Sequence, residues 1–172
     1  MRWSGRRDAR AANASEQARD RSGAGCRDRR MLIIERVAAL NKAKIFAELH
    51  DHALAEIAQI VEETTFDAGE TIIREGAQET WMFILVDGRA RVDFGGVEIS
   101  RIEPGASVGE LAVIDPAPRA ATVTALEPCL LFRIDQAPFR EVMQEQPEVM
   151  AALLTMLTRL LRSARRTPST AG

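Results

Sequence analysis

The chain has 172 residues, of which 46% are hydrophobic, so it is long enough and apolar enough for one globular domain. Residues 1–30 contain nine arginines and four acids, and the remaining 142 residues contain 14 basic and 21 acidic side chains. An acidic body is poorly suited to hold nucleic acid through phosphate contacts alone. Two cysteines are too few for an iron–sulfur cluster or a cysteine-rich zinc site.

The sequence lacks both an apolar run of the ~18 residues that span a membrane and the apolar centre of a secretory signal. With few cysteines, a disulfide framework is not expected and a reducing compartment fits. We therefore predict a cytoplasmic protein without a transmembrane segment.

Residues 1–30 are rich in arginine and contain almost no large apolar side chain beyond Trp3. Such a segment cannot bury enough surface to offset its ordering entropy, so we predict a disordered tail. The simplest interpretation is a passive tail, or an extended start with Met31 as the natural first residue. The alternative is a segment that contacts nucleic acid or an anionic membrane.

The pattern changes at Met31, where we predict the folded domain to begin and to run to residue 166. MLIIERVAALNKA (31–43) places its apolar residues near one helical face, and HDHALAEIAQIVEE (50–63) predicts a second helix. His50 or Asp51 is the expected N-cap of that second helix. Neither His50 nor His52 is expected to bind a metal, because a site needs three or four ligands.

The middle of the chain predicts β-structure. Its short apolar or β-branched runs are TTF, TIIREG, WMFILVDG, RARVDF, VEISRI, AATVTAL and CLLFRID. Turn residues separate them, and Asp87-Gly88 between two runs predicts a hairpin. Strands at this regular spacing indicate a sandwich or barrel.

The end of the chain predicts helices again, so the fold class is α+β. Pro147 stands where the first residue of a helix is often proline. The apolar stripe of this last helix comprises Met150, Leu153, Leu154, Leu157, Leu160 and Leu161. Residues 167–172 are predicted to form a short disordered tail.

The segment GELAVIDPAPRAATV, residues 109–123, carries the predicted chemistry. Gly109 permits close approach of a ligand, and ELAVI is long enough for one helical turn, whose free N–H groups attract anions. Arg119 adds a planar fork suited to a phosphate. Pro116 and Pro118 restrict the loop that holds this arginine in place.

Glu110 is unexpected in an anion site, because a carboxylate repels phosphate. It can instead accept a hydrogen bond from a hydroxyl group beside that phosphate. An anion and an adjacent hydroxyl, held between Arg119 and Glu110, describe a sugar phosphate. The alternative is that the two side chains form only a structural ion pair.

This segment resembles the phosphate-binding cassette of the cyclic nucleotide-binding domain family. The family pattern G-E-[LM]-A, a short loop and P-R-x-A-[ST] is matched by Gly109, Glu110, Leu111, Ala112, Pro118, Arg119, Ala121 and Thr122. FDAGETIIREG (66–76), FILVDGRARV (83–92) and IEPGASVGE (102–110) extend the resemblance. It implies an antiparallel, jelly-roll-like β-roll of about eight strands flanked by N-terminal and C-terminal helices.

The resemblance also implies roles for the site residues. Arg119 would pair with the cyclic phosphate, and Glu110 with the Gly109 backbone would hold the ribose 2′-hydroxyl. The amides of Leu111, Ala112, Ala120 and Ala121 would surround the phosphate and sugar. Members that prefer cyclic GMP often have Thr or Ser where this chain has Ala120, so cyclic AMP is the expected ligand.

Two positions depart from the family pattern. The loop G-x-x-G-D is here Gly76-Ala-Gln-Glu79-Thr80, without the second glycine, and the residue before Gly109 is Val108 where phenylalanine is frequent. The first change is expected to alter the turn and the second to loosen packing under the cassette. Neither removes an implied ligand contact.

The predicted function is a non-catalytic regulatory sensor whose C-terminal helix moves when ligand binds and reports to an effector protein or domain. No helix-turn-helix, kinase or cyclase segment is apparent in the sequence, nor is a convergent nucleophile–base pair. The leading alternative is a docking or dimerisation module without nucleotide, and a homodimer through the C-terminal helix is compatible with both. A third hypothesis combines the sensor with DNA binding by the arginine-rich tail.

Overall fold

The computed structural model describes residues 30–164, in which five helices and eight strands occur. The helices are α1 Ile33–Asn41, α2 Asp51–Ile60, α3 Glu110–Ile114, α4 Gln136–Glu145 and α5 Pro147–Ala164. The strands are β1 Glu62–Phe66, β2 Thr71–Ile73, β3 Trp81–Asp87, β4 Ala90–Phe94, β5 Val97–Ile102, β6 Ser107–Val108, β7 Thr122–Ala125 and β8 Cys129–Asp135. The predicted tails 1–30, except for Arg30, and 167–172 lie outside the described residues.

The strands form two four-stranded antiparallel sheets, in the orders β1-β8-β3-β6 and β2-β7-β4-β5. Helices α1 and α2 precede the sheets, α4 and α5 follow them, and α3 lies in the connection from β6 to β7. The predicted α+β class and antiparallel β-roll are therefore confirmed. The two-residue strand β6 has no counterpart among the runs predicted from the sequence.

Strand β3 is apolar on both faces because each face packs against a different buried cluster. Met82 and Ile84 belong to the buried cluster formed with the helices, whereas Phe83 and Leu85 belong to a second cluster between the two sheets. Successive side chains of a strand point to opposite faces, so both faces of β3 are buried. The run WMFILVD thus separates the two hydrophobic cores of the domain.

The hairpin predicted at Asp87-Gly88 is wrong, because β3 and β4 lie in different sheets. Gly88 has φ of +92°, and a Cβ there would lie 2.6 Å from the carbonyl oxygen of Pro128. The glycine is therefore required by close backbone packing where the chain crosses between sheets. A hairpin is formed instead at Gly95-Gly96, between β4 and β5.

The C-terminal helix begins at Pro147, as predicted. Its packing face differs from the predicted stripe. Val149 and Leu153 are buried, whereas Met150, Leu154 and Leu161 are 44–63% exposed. The domain therefore covers only part of the apolar stripe, and the rest of the stripe faces away from the core.

His50 occupies the N-cap position of α2, as predicted, but its side chain does not cap the helix. Its Nδ1 lies 2.7 Å from a carboxylate oxygen of Glu148 near the start of α5. The histidine thus links α2 to the C-terminal helix. Among residues 30–164, no helix combines the length and apolar character needed to cross a membrane.

Gly105→Ala is expected to destabilise the fold strongly. Gly105 has φ of +89°, and a Cβ would lie 2.7 Å from the carbonyl oxygen of Lys42, where the segment after α1 meets the roll. Backbone strain and this clash together should lower the free energy of unfolding by about 3 kcal/mol in urea denaturation.

Gly95→Ala is the matched control for Gly105→Ala. Gly95 also has a positive φ, of +57°, but no atom lies within 4 Å of its added Cβ. Its cost should be only about 1 kcal/mol. Equal losses in the two variants would contradict the close contact at Gly105.

Candidate functional site

The cassette is the connection between β6 and β7, and it passes from one sheet to the other. Gly109 is the N-cap of α3 and has φ of +76°, a left-handed conformation that favours glycine. A Cβ at this position would lie 3.1 Å from Cζ of Arg119 and would clash with its Nη1. Gly109 is therefore needed both for the turn and for the approach of the guanidinium.

Arg119 is the charged centre of the cassette, and its side chain is only 4% exposed. Its Nη1 donates to the carbonyl oxygen of Gly109 at 3.2 Å, and Nη2 donates to the carbonyl oxygen of Trp81. Its Nε donates to Glu79 at 3.4 Å. Contacts within residues 30–164 thus use three of the five guanidinium N–H donors and leave one on each Nη.

The backbone of Arg119 is fixed as firmly as its side chain. Its N–H donates to the carbonyl oxygen of Ala77 at 2.9 Å, and its carbonyl oxygen accepts from the N–H of Gly76 at 2.8 Å. Gln78 and Pro118 form an isolated antiparallel bridge beside this pair. The loop 76–79 and the cassette therefore form one hydrogen-bonded unit.

Two partners of Arg119, Glu79 and Trp81, were missed by the sequence reasoning. Glu79 occupies the position where the family pattern has its second glycine, so the departure supplies a carboxylate to the arginine. The ring centroid of Trp81 lies 4.4 Å from Cζ of Arg119. The missing glycine was the available signal for Glu79, whereas nothing in the sequence distinguished Trp81 from a core aromatic.

Burial lowers the pKa of the Arg119 guanidinium, and the charge and hydrogen bond of Glu79 act in the opposite direction. Guanidinium groups remain protonated in proteins, so a cation is held in the cassette. A buried cation is costly to remove from water unless an opposite charge and hydrogen-bond acceptors lie close to it. The two carbonyl oxygens and the carboxylate satisfy this requirement.

Glu110 is the first residue of α3 and is half-buried. Burial raises the pKa of its carboxyl group, although a backbone N–H and the charge of Arg119 lower it. The ion pair of Arg119 is made with Glu79 and not with Glu110. The alternative of a structural Glu110–Arg119 ion pair is therefore contradicted, and among residues 30–164 no ion pair neutralises the carboxylate of Glu110.

The remaining predicted site residues follow Glu110 or Arg119 directly in the sequence, but they differ in solvent exposure. Leu111 is 56% exposed, Ala112 is buried, Ala120 is exposed and Ala121 is half-buried. The N–H of Ala112 donates to the carbonyl oxygen of Gly109 at 3.1 Å. Gly109 thus accepts from both the cassette helix and Arg119, which ties these three residues together.

Comparison with known proteins finds its family match over a region that includes the cassette. Residues 63–146 match the model of the cyclic nucleotide-binding domain. A cAMP-dependent protein kinase regulatory subunit of Yarrowia lipolytica is 36% identical over 99 residues, which cover 58% of this chain and 26% of that protein. The chain spans between about a quarter and three fifths of the length of the curated relatives it matches first.

Solved structures that share the fold at more than a quarter sequence identity include two of particular interest. The N-terminal domain of a transcriptional regulator from Streptomyces coelicolor is 28% identical with a TM-score of 0.65, and the match covers 76% of this chain and 97% of that one. The regulatory domain of Toxoplasma gondii PKA, solved with cAMP, is 27% identical with a TM-score of 0.58, over 64% of this chain and 44% of that one. Through residues 63–146 the chain belongs to the cyclic nucleotide-binding domain family.

Glu110→Gln is expected to stabilise the ligand-free protein at neutral pH. Because burial raises the folded-state pKa of Glu110 above its unfolded value, stability from this residue is present at low pH and is lost as the pH rises through the folded pKa. The neutral amide avoids this loss, so the melting temperature at pH 7 should rise by roughly 2 °C. The gain should vanish near pH 4, where the wild-type carboxyl is protonated.

Glu127→Gln is the matched control for this measurement. The side chain of Glu127 is 38% exposed, and a hydrogen bond from Arg89 lowers the pKa of its carboxyl group, the opposite direction to Glu110. Its replacement should not raise the melting temperature at pH 7. A melting temperature for Glu110→Gln below that of the wild type would contradict the penalty of the buried carboxylate.

Proposed function

We propose that this chain is a non-catalytic regulatory sensor that binds a cyclic nucleotide, and cyclic AMP in preference to cyclic GMP. The observation that carries the proposal is the buried Arg119 guanidinium held against the Gly109 turn at the start of α3. This arrangement places a fixed cation beside a helix start and a half-buried carboxylate. A phosphate with a neighbouring hydroxyl group matches both charges.

The proposed contacts are those expected from the sequence. Arg119 binds the cyclic phosphate, and Glu110 with the Gly109 backbone binds the ribose 2′-hydroxyl. The amides of Leu111, Ala112, Ala120 and Ala121 surround the phosphate and sugar. Since the Ala112 amide already donates to Gly109, its proposed contact requires a change in the first turn of α3.

Ligand entry also requires a change at Arg119, because 4% exposure leaves no room for a phosphate beside the resting guanidinium. The two remaining N–H donors and those now bonded to Gly109 and Trp81 are the candidates to bind it. Phosphate oxygens make stronger charge-assisted bonds to a guanidinium than carbonyl oxygens do. The exchange of partners is the proposed first event of sensing.

Cyclic AMP is the proposed ligand for two reasons. Ala120 follows the arginine directly, where cyclic GMP-preferring members often have a hydroxyl side chain. The related regulatory domain of Toxoplasma gondii PKA has been solved with cAMP. A comparison of the two nucleotides under identical conditions tests this preference.

Arg119→Ala is expected to abolish ligand-dependent stabilisation. Cyclic AMP at ~100 times its dissociation constant should stabilise the wild-type fold by about 2.7 kcal/mol, and cyclic GMP at the same concentration by less. Thermal-shift titrations of the full chain measure both effects. The variant should show no shift, because the phosphate then has no cationic partner.

Arg101→Ala is the control, since Arg101 is an exposed arginine on β5 that pairs with Glu98. It should retain the wild-type shift. A well-folded wild-type protein that is stabilised by neither nucleotide would contradict the proposed function. The docking or dimerisation alternative, which the exposed Met150, Leu154 and Leu161 of α5 favour, would then take precedence.

Signalling is proposed to proceed through α5. Val113 of the cassette helix and Val149 and Leu153 of α5 belong to the same buried cluster. A groove of about 300 Å³ lies beside them, lined by residues of α3, α4 and α5. This space permits α5 to shift when ligand moves the cassette, a change in population between two packings.

Hydrogen–deuterium exchange should detect this movement. Saturating cyclic AMP is expected to change amide exchange in α5 (147–164) as well as in the cassette, because both contribute to the helical cluster. The hairpin of β4 and β5, which contributes no residue to the helical cluster, serves as an internal control and should be unaffected. Protection confined to the cassette would contradict signalling through α5.

A further inference from the structure

Trp81 contacts the cassette arginine through two different groups. Its indole ring centroid lies 4.4 Å from Cζ of Arg119, and its backbone carbonyl oxygen accepts a hydrogen bond from Nη2. The first contact is a cation–π interaction with the face of the side chain, and the second restricts the plane of the guanidinium. One residue of β3 therefore constrains both the position and the rotation of the cation.

The indole ring is itself held in place by aromatic neighbours. Its centroid lies 4.7 Å from that of Phe83 with the planes tilted by 56°, and Phe83 makes an edge contact with Phe66 at 5.8 Å. These separations are those of favourable aromatic pairs. The ring is thus fixed to the cluster between the two sheets and does not depend on Arg119 for its orientation.

A second guanidinium lies near the same ring. Cζ of Arg133 is 5.2 Å from the Trp81 centroid, and Asp135 holds this arginine by a 2.7 Å contact to its Nη2. Two cations near one indole repel each other, so without a local counter-charge neither would be stable there. Glu79 pairs with Arg119 and Asp135 pairs with Arg133, which leaves the ring shared between two neutralised pairs.

Packing alone does not account for Trp81. It is only half-buried and lies at the margin of its cluster, whereas Phe83 and Leu85 of the same strand are at most 2% exposed. The indole is the best aromatic partner for a cation, and arginine stacks on it through a flat face. A smaller apolar side chain would cover the core edge but would not hold the guanidinium.

We propose that Trp81 is a positioning residue of the phosphate site, whose indole ring holds the Arg119 guanidinium in the orientation that receives the ligand phosphate. This inference rests on the proposed function. When the phosphate replaces carbonyl partners of Arg119, the ring contact is the restraint that can persist, because it uses the face of the guanidinium and none of its N–H donors. Trp81 thereby lowers the entropy lost by Arg119 on binding.

Affinity measurements on the full chain test this role. Trp81→Leu retains an apolar side chain without a ring and should weaken cyclic AMP binding roughly three- to thirtyfold, the range for loss of one cation–π contact. Trp81→Phe restores a ring and should recover most of the affinity. Phe83→Leu, which removes a ring that supports Trp81 but does not contact Arg119, should lower the melting temperature and weaken affinity less than Trp81→Leu does.

Trp81 emission gives a second readout that does not depend on a destabilised variant. Trp3 and Trp81 are the two tryptophans of the chain, so Trp3→Phe leaves Trp81 as the sole reporter. Cyclic AMP should produce a saturable change in its emission, with a midpoint at the independently measured dissociation constant. The change should be absent in a variant that also carries Arg119→Ala.

The outcomes separate the inference from the proposed function. Wild-type affinity in Trp81→Leu, equal weakening in Trp81→Leu and Phe83→Leu, or constant Trp81 emission at saturation would each overturn the positioning role while leaving cyclic nucleotide binding intact. A wild-type protein that binds no cyclic nucleotide would instead overturn the proposed function on which the inference rests.

Discussion

The organisation of this domain depends on one buried guanidinium. Arg119 is almost inaccessible to solvent, and a cation in that position is tolerated only because acceptors converge on it from three separate segments. Those segments are the loop at Glu79, the start of β3 at Trp81 and the turn at Gly109. Glu79, the start of β3 and the turn at Gly109 thus surround a charge that would be unstable in a purely apolar environment.

The same arrangement supports the proposed binding of an anion at Arg119. The resting partners of the guanidinium are mainly carbonyl dipoles, which a phosphate oxygen can outcompete. Glu110 lies nearby with its carboxylate partly removed from water, an unfavourable state for the ligand-free protein. The half-buried carboxylate therefore lowers the stability of the ligand-free protein, a cost that is typical of functional sites.

Much of the fold and the cassette could be predicted from the sequence, because their signals are local. The cassette carries its pattern within fifteen residues, and Pro147 marks a helix start by its own backbone chemistry. Contacts between distant segments could not be predicted in this way. Glu79 and Trp81 contact Arg119 although about forty residues separate them in the sequence. The prediction of a hairpin at Asp87-Gly88 was wrong because a dipeptide does not specify which sheet the next strand joins.

The short helix α3 connects the proposed ligand site at Arg119 to the C-terminal helices. At its start, Gly109 accepts the Arg119 hydrogen bond, and near its end Val113 is buried in the helical cluster. Gln136 of α4 donates to the carbonyl oxygens of Ala112 and Val113, so that end is also tied to the C-terminal helices. Five helical residues span only ~7.5 Å, so the two ends of α3 lie close together. In the proposed mechanism, a displacement of Gly109 by ligand would be accommodated by the packing around Val113, which α5 shares.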